Sequence, residues 1–471
     1  MTASIISPES VQTLEAFEQD ALRTAAVLRE RGVGLGERVM LKAGNSTAWL
    51  GTLLGLMHAG ASIVLVDQRE HVETTTRIAQ RAGVKAVLVD DDAPIDPDLQ
   101  PVTLTELLMA TAGRPVHDRR LDIDAWGDLD DGLIMWTSGS TGAPKGAVKS
   151  GRKFLRNLER NADQVGHHSD DVLLPLLPFS HQYGLSMVLI AWLRRCSLVV
   201  APYRRLDRSL LLAGISGSTV IDATPASYRS MLNIVHRNPK LRSCLDSVRM
   251  FCVGAAPLDS NLVDRYVAEF NLPLLDSYGS TELGNISFAT LDNPVACGKA
   301  MEGIRLRVTD DDGREVAPGE AGEIEVDTPD AMEGHLSEGG ALVPLPSGWQ
   351  STGDLGHLDQ HGNLTVLGRK LAVHRMGYTL YPELIERKAA AAGCSVRVVA
   401  LEDERLDARL VFVVEDEQER DPSYWWGRLT EALPQFERPN RVLVVGEFPL
   451  NRNGKPDKQQ MAQLARADAK P

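Results

Sequence analysis

Leu133-Ile134-Met135-Trp136-Thr137-Ser138-Gly139-Ser140-Thr141-Gly142-Ala143-Pro144-Lys145-Gly146 begins with four apolar residues and then changes character. The apolar part reads as a buried strand. The remainder reads as a loop built to meet an anion. Its glycines let successive backbone amides approach closely, its hydroxyls add donors, and Lys145 brings a positive charge for phosphate oxygens. The spacing departs from the G-x-x-x-x-G-K-[ST] phosphate loop, so that motif is not assigned. A flexible linker is the plain alternative, but ordered Gly, Ser, Thr and Lys choices directly after a strand favour phosphate binding.

On both sides of this stretch the chain alternates strand and helix. Upstream, strands at 39–42, 63–66 and 86–89 enclose helices at 47–58 and 73–83, the pattern of parallel β-α-β units. Downstream, the same reading predicts helices at 153–165, 184–193, 207–214, 225–235 and 258–270 between strands at 172–176, 197–201, 219–222 and 248–253. The fold class is therefore α/β, with one large domain. From about residue 303 shorter strands, 305–308 and 323–326, read as an antiparallel or mixed appendage. The last hundred or so residues read as a second domain, with helices near 382–391 and 424–433 and strands near 396–401, 409–415 and 441–445. A chain of 471 residues exceeds what a single core usually supports, which agrees with two domains.

Composition removes several function classes. A net charge of -14 opposes broad attraction to nucleic acid or an anionic membrane. Cys196, Cys244, Cys252, Cys297 and Cys394 form no C-x-x-C pair and read as free thiols, as in a reducing cytoplasm. The N-terminus lacks the basic start and apolar run of a secretory signal. The apolar run Leu185 to Leu193 falls well short of the roughly 20 residues that span a bilayer and reads as a packed helix. Asp310-Asp311-Asp312-Gly313 lacks the rest of a calcium loop and reads as a solvated turn.

The segment Thr137 to Gly146 carries the complete signature T-S-G-S-T-G-x-P-K-G. It is followed, in order, by Tyr278-Gly279-Ser280-Thr281-Glu282, Ser351-Thr352-Gly353-Asp354, Gly368-Arg369 and Pro449-Leu450-Asn451-Arg452-Asn453-Gly454-Lys455. Over roughly residues 20 to 460 the chain resembles the adenylate-forming enzymes: acyl-CoA and aryl-CoA ligases, peptide-synthetase adenylation domains and luciferases. The resemblance implies a large multi-sheet N-terminal adenylation domain, residues 1–368, and a small mobile α+β C-terminal domain, residues 369–471. It implies ATP and Mg²⁺ as cofactors, a small carboxylic acid as substrate, and CoA as co-substrate. A carrier-protein phosphopantetheine is the alternative acceptor.

By the same resemblance, Thr137, Ser138, Gly139, Ser140, Thr141, Gly142 and Lys145 hold the β- and γ-phosphates. Gly254, Ala255, Ala256 and Tyr278 line the adenine side, Thr281 contacts phosphate and Glu282 binds magnesium. Carboxylate oxygen is the hard ligand that Mg²⁺ prefers, and Tyr278 offers an aromatic face. Asp354 accepts from the ribose hydroxyls and Arg369 donates to ribose or phosphate, although a structural ion pair suits either residue. Lys455 is the mobile electrostatic catalyst, a cation between the carboxylate and the α-phosphate.

Pro178-Phe179-Ser180-His181-Gln182-Tyr183-Gly184 resembles the segment approaching the acyl substrate. There His181 presents its imidazole or serves structurally, and Phe179 and Tyr183 contribute apolar surface. Amino-acid-activating relatives place Asp in this region. None occurs from Leu173 to Pro202, which favours an acid without an α-ammonium. Tyr228, Met231 and Met250 suit a pocket or the core equally. The segment 370–377 departs from the family pattern, with Lys370 its hinge candidate. That departure motivates the alternative of a noncatalytic nucleotide-binding or regulatory protein. The preferred expectation is an acid-thiol ligase that forms acyl-AMP from an aryl or short-to-medium acyl acid.

Overall fold

The computed structural model describes residues 2–116, 118–138, 144–370, 373–375, 378–403, 407–451 and 455–467. The chain divides into two compact units, Met1–Arg305 with Asp327–Gln350, and Leu306–Val326 with Ser351–Pro471. This division groups residues 306–326 and 351–368 with the C-terminal part of the chain.

The first unit holds two large sheets. In the eight-stranded one, Leu133–Ser138 lies parallel to Ser62–Val66, which lies parallel to Arg38–Lys42 and then Ala86–Val89. Helices cover such parallel strands, so Met40, Val64, Val87 and Ile134 are buried and the strands read as continuous apolar runs. On its other edge Leu133–Ser138 pairs antiparallel with Pro144–Lys149. The expected anion loop thus joins the two strands of a hairpin.

In the nine-stranded sheet, Leu274–Ser280, Met250–Val253, Val220–Ala223, Val172–Pro175 and Ser197–Val199 are successive parallel neighbours. Gly284–Phe288 then turns back antiparallel on Leu274–Ser280. Ligands of open α/β sheets bind beyond the carboxyl ends of the parallel strands. Of the segments singled out by sequence, 178–184 and 254–256 follow such ends, and 278–282 spans the last residues of Leu274–Ser280 and the turn beyond it.

The helix Leu14–Glu30 has no counterpart in the sequence reading. It is capped by Thr13, whose side chain accepts from the Ala16 amide. Its buried face alternates Leu and Phe with Ala21, Thr24 and Ala25, which dilutes the apolar stripe. Those small residues serve packing. A side chain at Gly55 of the neighbouring helix Thr47–Ala59 would lie 3.1 Å from the Ala21 carbonyl oxygen.

Tyr228, Met231 and Met250 belong to the core. The Tyr228 hydroxyl is engaged by the Ile221 and Cys252 carbonyls at 2.7 and 2.8 Å. The run Leu185 to Leu193 lies in the packed helix Gln182–Leu193, and among the described residues no helix is long and apolar enough to cross a membrane. All five cysteines are free thiols.

The second unit contains a four-stranded sheet of Arg305–Thr309, Gly322–Asp327, Gln350–Leu358 and Leu364–Arg369, with its outer residues at the division. It also contains a three-stranded sheet of Ser395–Asp403, Asp407–Glu415 and Arg441–Val445. Leu410, Phe412 and Val414 of that sheet pack with Ile385 and Leu429 from the helices Pro382–Ala389 and Pro422–Ala432.

Candidate active site

Thr137 and Lys145 stand opposite each other near the hairpin end, and Ser138 pairs with Pro144. Gly139, Ser140, Thr141 and Gly142, expected to hold phosphate, lie outside the described residues. Gly146 sits close under Trp136, where a Cβ would come within 3.1 Å of the ring and the ring would have to shift.

The Tyr278–Glu282 segment ends one strand and turns into the next. Gly279 allows the tight return, because a Cβ would meet the Gly284 carbonyl oxygen at 2.7 Å. The Ser280 hydroxyl accepts from the Leu283 amide at 3.0 Å. Asn157 grips the returning strand, accepting from the Asn285 amide at 2.8 Å and donating to its carbonyl at 2.9 Å.

Both central carbonyls of the turn are also taken. Lys149 Nζ donates to the Thr281 oxygen at 2.7 Å, and the Met332 amide donates to the Glu282 oxygen at 2.8 Å. Fixing the backbone this way leaves the side chains for other work. Among the described residues, neither the Thr281 hydroxyl nor the Glu282 carboxylate has a hydrogen-bond or ion-pair partner within the protein.

Lys149 was not anticipated. It is 2% exposed. Burial pushes its ammonium down to about 8, against the opposing pull of Glu282 and Asp330. The signal was present in Gly146-Ala147-Val148-Lys149, where a charge ends an apolar strand beside the signature. His335, on the strand next to Lys149's, is held below the ordinary imidazole range by burial, with Glu282 opposing the shift. Among the described residues no cluster of three metal-ligating side chains occurs. A single unclaimed carboxylate at Glu282 suits Mg²⁺, which is commonly held by one or two carboxylates together with substrate phosphates.

The segment 178–184, expected to approach the acid, is held at its start by Asn45, which donates to the Leu177 carbonyl at 2.7 Å and accepts from the Phe179 amide at 2.8 Å. Gly184 cannot be replaced without displacement, since a Cβ would lie 2.1 Å from the Pro178 oxygen. His181 precedes the helix Gln182–Leu193 in extended conformation, and its Nε2 lies 3.9 Å from Asp67 Oδ2. Phe179, expected to line the pocket, is instead a core residue packed on Trp49 with ring centroids 5.5 Å apart.

Tyr183 carries more than apolar surface. Its hydroxyl donates to Asp222 Oδ1 at 2.9 Å. Asp222, also unanticipated, is 2% exposed, and burial pushes its carboxyl up to about 7 despite the tyrosine bond. Gly254 lies against the same tyrosine, where a Cβ would meet Ser277 Oγ at 2.5 Å and the Tyr183 ring at 3.2 Å. Ala255 follows with φ +70°, a left-handed conformation rare for alanine and often found at functional turns.

In the second unit, Asp354 and Arg369 stand opposite each other in antiparallel strands, with Nε 3.1 Å from Oδ1. The arginine also donates to the Thr352 carbonyl at 3.1 Å. Lys370 binds Glu323 at 2.9 Å and Asp311 at 3.0 Å, which raises its pKa. Leu371, Ala372, Met376 and Gly377 of the altered segment lie outside the described residues. Lys455 closes a turn, its carbonyl accepting from Asn451 at 2.7 Å and its amide donating to Asn451 Oδ1 at 3.1 Å. Desolvation and then Arg369 hold its ammonium below the ordinary lysine range, with Asp354 opposing. Lys458 is occupied by Glu383 at 2.7 Å.

Residues 3–336 match the family described as AMP-binding enzyme. The sequence is 28% identical to 3-[(3aS,4S,7aS)-7a-methyl-1,5-dioxo-octahydro-1H-inden-4-yl]propanoyl:CoA ligase of Mycobacterium tuberculosis, over 93% of this chain and 91% of that protein. It is 31% identical to indoleacetate–CoA ligase of Aromatoleum aromaticum, over 70% of this chain and 67% of that protein. Among solved structures it resembles ATP-bound MatB from Rhodopseudomonas palustris, with a TM-score of 0.87, 25% identity, and coverage of 100% of this chain and 97% of that one.

Proposed function

The chain belongs to the AMP-binding enzyme family and is an AMP-forming acid–thiol ligase; from that premise we propose that it activates an aryl or short-to-medium acyl acid as acyl-AMP and passes the acyl group to CoA. The observation that carries this reading is the Thr281–Glu282 turn. Its backbone is pinned by Lys149 and Met332, while its hydroxyl and carboxylate stay unclaimed. Support for an aryl acid comes from the relative that acts on indoleacetate.

In the first half-reaction a carboxylate oxygen forms a bond to the α-phosphorus of ATP. The bond from that phosphorus to the bridging oxygen breaks, and pyrophosphate leaves. No proton needs removing, because the acid is already ionised at neutral pH. The obstacle is repulsion between two anions. We assign Thr137, Ser138, Gly139, Ser140, Thr141, Gly142 and Lys145 to the departing phosphates, with Thr281 beside them. Lys455 serves the carboxylate and α-phosphate, where a positioned cation offsets the developing charge. Glu282 would hold Mg²⁺ together with the phosphates, and the ion would screen their charge.

Gly254, Ala255, Ala256 and Tyr278 are assigned to adenine, Asp354 and Arg369 to ribose, and His181 to orienting the acid. In the second half-reaction the CoA sulfur bonds to the acyl carbon, the carbon–oxygen bond to AMP breaks, and the thiol proton passes to solvent. We assign residues 369–471 as the part that moves between the two steps, with Lys370 at the pivot.

Mass spectrometry of reactions containing ATP, Mg²⁺ and a panel of acids tests the assignment. Acyl-AMP is expected with aryl acids, and acyl-CoA when CoA is added. Thioester formed only on a phosphopantetheine-loaded carrier protein would overturn the CoA assignment, and neither product on either acceptor would overturn the second half-reaction.

A further inference from the structure

The feature that the assignments above leave unused is Asp222. Its Oδ1 accepts the Tyr183 hydroxyl, and among the described residues Oδ2 has no hydrogen-bond partner despite full burial. A buried polar atom left unpaired forfeits its hydration without compensation, so natural proteins keep few of them without a reason. Nearby donors are committed elsewhere. The Tyr228 hydroxyl serves the Ile221 and Cys252 carbonyls, and Ser277 Oγ serves the Val253 carbonyl at 2.8 Å. No described Lys, Arg or His forms an ion pair with Asp222, so the carboxylate is not there to neutralise a protein cation.

Its position points toward a ligand. Asp222 lies in the C-terminal half of a central parallel strand, in register with Cys252 on the next strand and, through it, with Leu275 on the one after. Two strand spacings and the three-residue advance to Tyr278 put the two Cα atoms about 14 Å apart. The link across that span is direct at its near end, since the Tyr183 ring that holds Asp222 also abuts Gly254. Tyr183 itself follows His181 by two residues at the start of the same helix.

We propose that Asp222 is a specificity-determining residue of the acid pocket, and that the acid carries a hydrogen-bond donor, an amino or hydroxyl group remote from its reacting carboxylate, which pairs with Oδ2. This rests on the acid-activating reading above and narrows it. A donor at the far end of the acyl group differs from the α-ammonium of an amino acid, whose place would be beside the reacting carboxylate.

The test is ATP–pyrophosphate exchange by the full chain with matched acids: benzoate against 4-aminobenzoate and 4-hydroxybenzoate, and hexanoate against 6-aminohexanoate and 6-hydroxyhexanoate. At least one donor-bearing acid should exceed its parent by about 10-fold or more in kcat/KM, because a site built to receive a donor rejects the analogue lacking it. Asp222→Asn, which can keep the tyrosine bond while presenting an amide NH₂ in place of Oδ2, should erase that preference and leave the KM for ATP unchanged. Exchange by the unaltered protein that ignores the donor overturns the proposal without any variant having to fold. A preference that survives in folded Asp222→Asn overturns it as well. Exchange with no acid in a broad panel would instead overturn the ligase reading, and this inference with it.

Discussion

The Thr281–Glu282 turn and the Asp222 strand end belong to the same sheet of the first unit, yet each leaves a carboxylate oxygen unpaired in a different way. At the turn the backbone is fixed by Lys149, Met332 and Ser280, and the side chains are partly open to solvent. At Asp222 the carboxyl is sealed in the interior, held through one oxygen by Tyr183. A partly solvated carboxylate is open to a metal ion, whereas a buried one gives up charge unless a matched donor arrives. In the proposed reading, one end meets the triphosphate and its metal, and the other discriminates among acids.

Substitutions can break or sharpen this contrast. The largest loss is expected from Lys455→Ala, which removes the proposed cation at the reacting phosphate. Acid-dependent exchange should fall by about 10²- to 10³-fold. An unchanged rate would leave the nucleotide end without its catalyst. Glu282→Gln should lower exchange by about 10- to 100-fold and raise the Mg²⁺ concentration needed for half-maximal rate, with little change in acid preference. Loss of acid preference with an unaltered Mg²⁺ response would reverse the roles of the two ends.

Lys149→Met removes the donor to the Thr281 carbonyl and should cost about 10-fold in kcat/KM for ATP. Its stability signature differs in sign from that of Asp222→Asn. Burial depresses the Lys149 ammonium from 10.5 to about 8. The cost of burying that charge is full below pH 8 and lifts as pH rises toward 10.5. Relative to Lys149→Met, the unaltered protein should therefore gain up to about 3 kcal/mol across that window in denaturant titrations. Burial raises the Asp222 carboxyl from 3.8 to about 7, so its cost sets in as pH rises through that range. Asp222→Asn should accordingly gain on the unaltered protein between pH 4 and 7. The smallest effect is expected from Tyr183→Phe, about 5-fold on the KM for the acid and none on the KM for ATP. Equal shifts in both constants would mean the tyrosine supports the fold rather than the acid pocket.

The two ends also differ in how plainly the sequence announces them. Thr137 to Gly146 and Tyr278 to Glu282 are contiguous, because a turn that presents amides, hydroxyls and a carboxylate together is made by neighbours in the chain. The parallel sheet was likewise legible, since strands covered on both faces appear as unbroken apolar runs such as Ile63-Val64-Leu65-Val66. The proposed role of Asp222 was not legible. Its partner Tyr183 comes from a separate segment 39 residues away, and a lone Asp in Val220-Ile221-Asp222-Ala223 reads as a strand interruption until the fold brings the two together. Lys149 was missed for a related reason, because its partner Thr281 lies 132 residues away. Phe179 misled in the other direction, an aromatic in a site segment that the helix Thr47–Ala59 draws into the core through Trp49. The helix Leu14–Glu30 escaped notice because Ala at its close-packed positions flattens the apolar stripe.

The most direct measurement is acid-dependent exchange of labelled pyrophosphate into ATP by the full chain. The expected result is exchange that requires both Mg²⁺ and a carboxylic acid and nearly vanishes in Lys455→Ala. Exchange that proceeds without any acid, or none with any acid tried, would contradict the account.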